Sequence, residues 1–223
     1  MRKSIKYAIV CAVLAGVIFV YPRVYGFIEG IFDAMRSSDI RQEYEKKTTD
    51  WLLNEINSYN YMRAHIAYGV LVDRKEKRAV PIIIEKMKKE KVNKSMYIQA
   101  LGTIGDKQSI PFIVEAIESN KKDSQDEVYW HGNIALANLK YKPAWDVAID
   151  LSRSNNIYDM SLATDMFEVF GDKRAIPYLE EIRKNRARMG DKIFVKDENG
   201  QEVELRMLSV GHVDKVIDML EDK

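Results

Sequence analysis

Apolar residues recur at helical spacing along most of the chain, and the pattern is broken at regular places. After Asn60 or Asn93, each fit to serve as an N-cap, a helix A is predicted; in the second case it runs through Ile98, Leu101 and Ile104 and stops at Gly105-Asp106. Gly171-Asp172 makes an equivalent stop. Glycine supplies the permissive backbone position that ends a helix, and the aspartate a side chain that can bond the turn. Pro81, Pro111 and Pro177 then stand in the first turn of a helix B, where the missing N–H costs nothing.

The breaks belong to an internal repeat. ALGTIGDKQSIPFIVEAI at 100–117 matches MFEVFGDKRAIPYLEEI at 166–182 without a gap over the shared length. An earlier copy reads Ala67 to Asp73, three extra loop residues, then Lys77 to Ile84. A degenerate copy runs from Ala135 to Leu151, with Lys140-Tyr141 for the Gly-Asp turn and Asp146 for the proline. From Pro81 to Pro111 to Asp146 to Pro177 the spacing is 30, 35 and 31 residues. Each unit is a helix hairpin with one apolar face, buried only by stacking on a neighbour.

These motifs resemble the HEAT-like repeat family in its short, phycobilisome-lyase form, over about residues 60–185. The likeness is strongest in the copies ending at Ile117 and Ile182, weaker at Ile84 and weakest at Leu151. It implies an all-α solenoid of about four hairpins that works as an interaction module, and only sometimes as a lyase subunit or enzyme.

The flanks differ from the repeats. Residues 7–21 (YAIVCAVLAGVIFVY) carry no charge, follow a basic start and end at Pro22-Arg23. As a helix rising about 1.5 Å per residue they cover roughly 22 Å, short of a hydrocarbon core of roughly 30 Å unless Lys6 and Arg23 snorkel and Val24 to Ile28 extend the stretch. A signal anchor over 1–27 is the expectation, with the C-terminal domain outside the cytoplasmic membrane; cleavage near Gly26, giving a secreted or periplasmic form, and a buried core helix are the competing readings. Residues 28–59 read as a helical linker and N-terminal cap around Trp51, Leu52, Leu53 and Ile56, and 60–189 as the repeats. In 190–223 the alternation of Lys192 to Asp197 and Glu202 to Leu205 around Asn199-Gly200 predicts a β-hairpin, followed by a capping helix.

Charge changes the picture only by position. The formal net charge of +1 includes four bases and no acid in the first 23 residues; the remainder holds 31 bases against 34 acids. That is no footprint for nucleic acid. The basic stretch Arg74 to Lys94 reads as a solvated face. The lone Cys11 rules out an intramolecular disulfide, and the scarcity of Gly and Pro argues against a many-stranded fold.

Candidate chemistry is sparse. His65, His131 and His212 form no His-x-x-x-His pair and no His-Glu step, so neither a metal nor a cofactor is expected. By its register His65 is expected to be a partly buried helix-A residue. Asp197 to Gly200 fails as a calcium loop because Arg206 falls where a bidentate carboxylate is needed. An enzyme reading would require His131, Tyr97 and Glu127 to converge on one cleft, and a purely structural envelope role would require a uniformly polar concave face. The expected work is non-catalytic binding of a protein or peptide. Two columns carry it: Glu85, Glu115, Asp150 and Glu181, four places after the proline register, and Ile82, Phe112, Val147 and Tyr178, one place after it. For the acids the plainer alternative is i,i+3 pairing with Lys88, Arg153 and Lys184; for the apolar column it is packing under the next repeat.

Overall fold

The computed structural model describes residues 39–58, 60–89, 94–120, 124–188, 193–196, 202–205 and 209–222. The chain divides into two compact units, Met1–Leu71 and Val72–Lys223, so the boundary falls inside the first expected repeat.

In the first unit, helix α1 (Thr49–Glu55) starts where the Thr48 hydroxyl accepts from the Trp51 amide at 3.3 Å. Leu52 and Ile56 are sealed, and Tyr44 packs edge-on against Trp51 with ring centroids 4.9 Å apart. The Tyr44 hydroxyl donates to Glu55 at 3.3 Å, and burial pushes its phenol above the usual range. Helix α2 (Tyr61–Asp73) begins at Asn60, whose side-chain oxygen accepts from the Arg63 amide at 3.2 Å, the cap foreseen from sequence. Ala67 and Leu71 are fully buried on its inner face, whereas His65 is exposed, contrary to the partly buried place its register suggested.

The second unit is a stack of helices: α3 (Val80–Lys89), α4 (Lys94–Ile104), α5 (Ile110–Glu118), α6 (Glu127–Asn138), α7 (Lys142–Ser152), α8 (Ile157–Phe170), α9 (Ile176–Arg188) and α10 (Val210–Glu221). The A helices α4, α6 and α8 lie side by side, and each B helix packs on the A helix that follows it: α3 on α4, α5 on α6, α7 on α8. Helix α10 takes the next place in this order, against both α9 and α8, and buries Val213, Val216, Ile217 and Leu220 there. It is the terminal cap that hides the last apolar face. Asn93, the foreseen cap of α4, lies outside the described residues.

Close approach depends on two glycines. A Cβ on Gly102 would stand 2.7 Å from both Cα and Cβ of Ala135, which fixes the spacing of α4 and α6. One on Gly132 would stand 2.5 Å from the Ile117 side chain of α5.

All four hairpin turns place one residue in the left-handed region. Gly105 and Gly171 have φ of 78° and 61°, and the equivalent places are held by Lys75 at 51° and Lys140 at 54°. The next residue caps a short 3₁₀ turn in three of them: Glu76 accepts from Arg78 N at 3.1 Å, Asp106 from Gln108 N at 3.0 Å and Asp172 from Arg174 N at 2.9 Å. The first turn is therefore Lys75-Glu76, five residues before Pro81 as in the other copies, and the expected three-residue loop insertion after Asp73 is corrected. Asp73 ends α2 instead. In the third turn Tyr141 offers no side-chain cap, and α7 starts directly with Pro143 in its first turn.

Lys140 shows why a lysine holds that αL position. Its Nζ donates to Val169 O at 2.6 Å and to Phe170 O at 3.0 Å, the open carbonyl end of α8. A cation there satisfies orphan acceptors and complements the helix dipole. Lys173 does the same one repeat later, donating to Glu221 O of α10 at 3.1 Å.

The expected fold class needs correction at both ends. No helix among the described residues is long and apolar enough to cross a membrane, and residues 1–27 lie outside them. The membrane helix and the single-pass placement built on it therefore do not stand. The stack itself is helical throughout. Strands β1 (Ile193–Lys196) and β2 (Glu202–Leu205) pair antiparallel, Ile193 opposite Leu205, but the Asn199-Gly200 turn falls outside the described residues. The element that closes the stack is α10, not a hairpin plus helix.

Candidate functional site

In the apolar column Ile82, Phe112, Val147 and Tyr178 are all half-buried. Lys88 Nζ sits 4.4 Å from the centre of the Phe112 ring, and the Arg153 guanidinium 6.0 Å from that of Tyr178. These cations belong to the preceding helix B in each case, so the base reaches forward to the next repeat's aromatic ring. The plainer alternative for the acids is corrected accordingly. Glu85 pairs with Lys89, four residues on, which holds its carboxyl below the usual range. Glu115, Asp150 and Glu181 are exposed and make no ion pair among the described residues.

Among the described residues of the second unit, two clefts stand out. The smaller, of about 170 Å³, is lined by Lys88, Lys94, Phe112 and Glu115 with Met87 and Ala116 beneath. The larger, of about 250 Å³, lies along α5, α6 and α7. Its floor is the buried Ile117, Leu136 and Ala144; its walls are Val114, Tyr141 and Val147. Tyr129, the buried Asn133 and the exposed Glu118 also line it. Burial, reinforced by the Asp159 carboxylate and opposed by Asn133, pushes the Tyr129 phenol above its usual range, so its hydroxyl stays protonated as a donor beside the apolar floor.

This groove is tied to the irregular third repeat. Helices α7 and α9 are in direct contact, whereas the larger groove lies between α5 and α7. Tyr141 and Pro143, which replace the usual cap and move the proline forward, form its edge. Gly132 lets Ile117 lie deep in the floor. Of the eight residues foreseen, Val147 lines the larger groove, and Phe112 and Glu115 the smaller. Ile82, Glu85, Asp150, Tyr178 and Glu181 line neither. Tyr129 and Tyr141 were missed, although the loss of the Gly-Asp turn at Lys140-Tyr141 was the signal that marked the place.

The enzyme constellation does not assemble in either groove. Tyr97 is buried, His131 half-buried and Glu127 exposed, accepting from the Ser95 hydroxyl at 3.2 Å. Among the described residues, one set of side chains does have the spacing of metal ligands: Asp165, Glu168 and His212, with donor atoms within 4.8 Å of one another.

The PBS lyase HEAT-like repeat model matches residues 98–119. That span is one structural unit of the stack: the end of α4, the Gly105-Asp106 turn and all of α5. The match supports a HEAT-like helical repeat, as do the four equivalent turns. Comparison with curated proteins gives no match.

Proposed function

We propose that this protein is a non-catalytic interaction scaffold, and that the groove along α5, α6 and α7 seats an apolar side chain of a protein segment carrying a neighbouring Lys or Arg. The observation that supports the reading is the groove's composition: a mainly apolar lining with the polar groups of Tyr129, Tyr141 and Asn133 and one exposed carboxylate, Glu118. Glu115 and Asp150, exposed on the same two B helices and without ion pairs among the described residues, extend the negative charge along them. Repeat proteins recruit partners on such surfaces because stacking leaves the outer helix faces free.

Selection of displayed peptides against the full chain tests this. The expected consensus pairs a large apolar residue with a base within one helical turn or two extended residues. Val147→Trp, which fills the groove from its wall, and Glu118→Lys should each weaken the selected peptides at least tenfold with helicity unchanged. Peptides that bind both variants as well as the original chain would place the binding surface elsewhere.

A further inference from the structure

We propose that Asp165, Glu168 and His212 form a divalent metal site that clamps the capping helix α10 to α8. Asp165 and Glu168, three residues apart on α8, share one face of that helix. His212 stands in the first turn of α10, placed by Ser209, whose hydroxyl accepts from the His212 amide at 3.1 Å. Its Nε2 lies 3.3 Å from Asp165 Oδ1 and 3.9 Å from Glu168 Oε2.

Those distances suit a shared ion. Ligand atoms about 2.0–2.2 Å from a tetrahedral metal lie roughly 3.4 Å from each other. The Asp165–His212 pair already has that separation, Glu168 lies 3.9 Å from His212, and all three donor atoms lie within 4.8 Å of one another, so a turn of the Glu168 side chain would close the set on an ion. Three protein donors leave a fourth position for water.

No Lys or Arg among the described residues forms an ion pair with Asp165 or Glu168, so the two carboxylates face His212 without a competing side-chain cation. All three side chains are about one-third exposed, so an ion has a way in. Mixed imidazole and carboxylate donors suit Zn²⁺ or another first-row divalent ion better than the softer Cu(I). The competing description is a simple histidine–carboxylate contact that needs no metal.

Titration of the chelator-stripped full chain with Zn²⁺, followed by calorimetry and thermal unfolding, separates the two. The expected result is one ion bound per chain, a rise in midpoint with Zn²⁺, and a visible Co²⁺ spectrum of tetrahedral intensity. Glu168→Gln and His212→Ala should each weaken binding at least tenfold and abolish the Zn²⁺-dependent rise in midpoint. His65→Gln and His131→Gln should change neither. Glu168→Gln changes a rim residue only, so its circular dichroism should match the parent and keep the test interpretable if His212→Ala loosens α10. Failure of Zn²⁺ to bind, or binding that survives both Glu168→Gln and His212→Ala, would overturn the site. Neither result bears on the groove, whose peptide selection is read without metal.

Discussion

The Gly171-Asp172 turn and the Lys140-Tyr141 turn do the same geometric job by different means. Both need a residue in the left-handed region to end a helix A and launch a helix B. Gly171 adopts it without a steric penalty, and Asp172 then caps the next turn and is held well ionised by Arg174. Lys140 accepts the strain, and its ammonium closes the carbonyl end of α8. Tyr141 contributes no cap and is left available to line a groove. The regular turn keeps its cap, whereas the irregular one gives up a cap at the place where the B helices leave a cleft, the pattern that the proposed binding role would favour.

The largest effect should come from the interface that holds the irregular repeat in place. Gly102→Ala drives a Cβ into the Ala135 backbone, which cannot yield. Overpacking of this kind costs about 3 kcal/mol, read as a lowered urea midpoint. Gly132→Ala meets Cγ1 and Cδ1 of Ile117, side-chain atoms rather than backbone, and should cost less, about 1–2 kcal/mol, while narrowing the groove floor.

Next come the turns themselves. Gly171→Ala should destabilise by about 1–2 kcal/mol because its φ of 61° then carries a Cβ. Lys140→Gly should fall within about 0.5 kcal/mol of the parent, since relief of strain offsets the lost cap of α8. A Lys140→Gly loss as large as that of Gly171→Ala would mean that the ammonium outweighs the backbone. Tyr141→Asp sharpens the contrast: restoring the cap should stabilise by about 1 kcal/mol yet reduce peptide capture by removing a groove wall. If it stabilised without affecting capture, the trade between turn and groove would not hold.

The smallest effect is a pH dependence. Burial pushes His131 below its ordinary value of 6.5, with Glu127 opposing. Its folded form resists protonation, so its contribution is fully present above pH 6.5 and is lost as pH falls through the folded value. His131→Gln should flatten the stability profile on the acid side of neutrality, measured by denaturation at stepped pH.

Much of the fold was legible because the repeat is written in residues with special backbone chemistry. Gly105, Gly171 and the three prolines each have a single common use, and they mark the hairpins that the structure shows. The first turn was misplaced because Lys75-Glu76 has no such signature: a lysine in the left-handed region looks like any surface lysine. The acid column was visible, but which acids are paired was not: Glu85 pairs with Lys89, while Lys88 and Arg153 turn to aromatic rings in the next repeat and leave the other three acids without an ion pair among the described residues. Asp165 and Glu168 could be paired by helical spacing alone, yet nothing local joins them to His212, which is 44 residues further on.

Local sequence determined where helices end and which faces are apolar, because capping, φ preference and amphipathic period act within a few residues. It also determined that the units must stack, since none can bury its face alone. Only the tertiary structure decided which side chains meet across repeats: the Lys140 cap of α8, the floor of the groove under Gly132, and the triad at α10. Those contacts depend on how closely two helix backbones approach, set at Gly102 and Ala135 by the sizes of two side chains that are 33 residues apart.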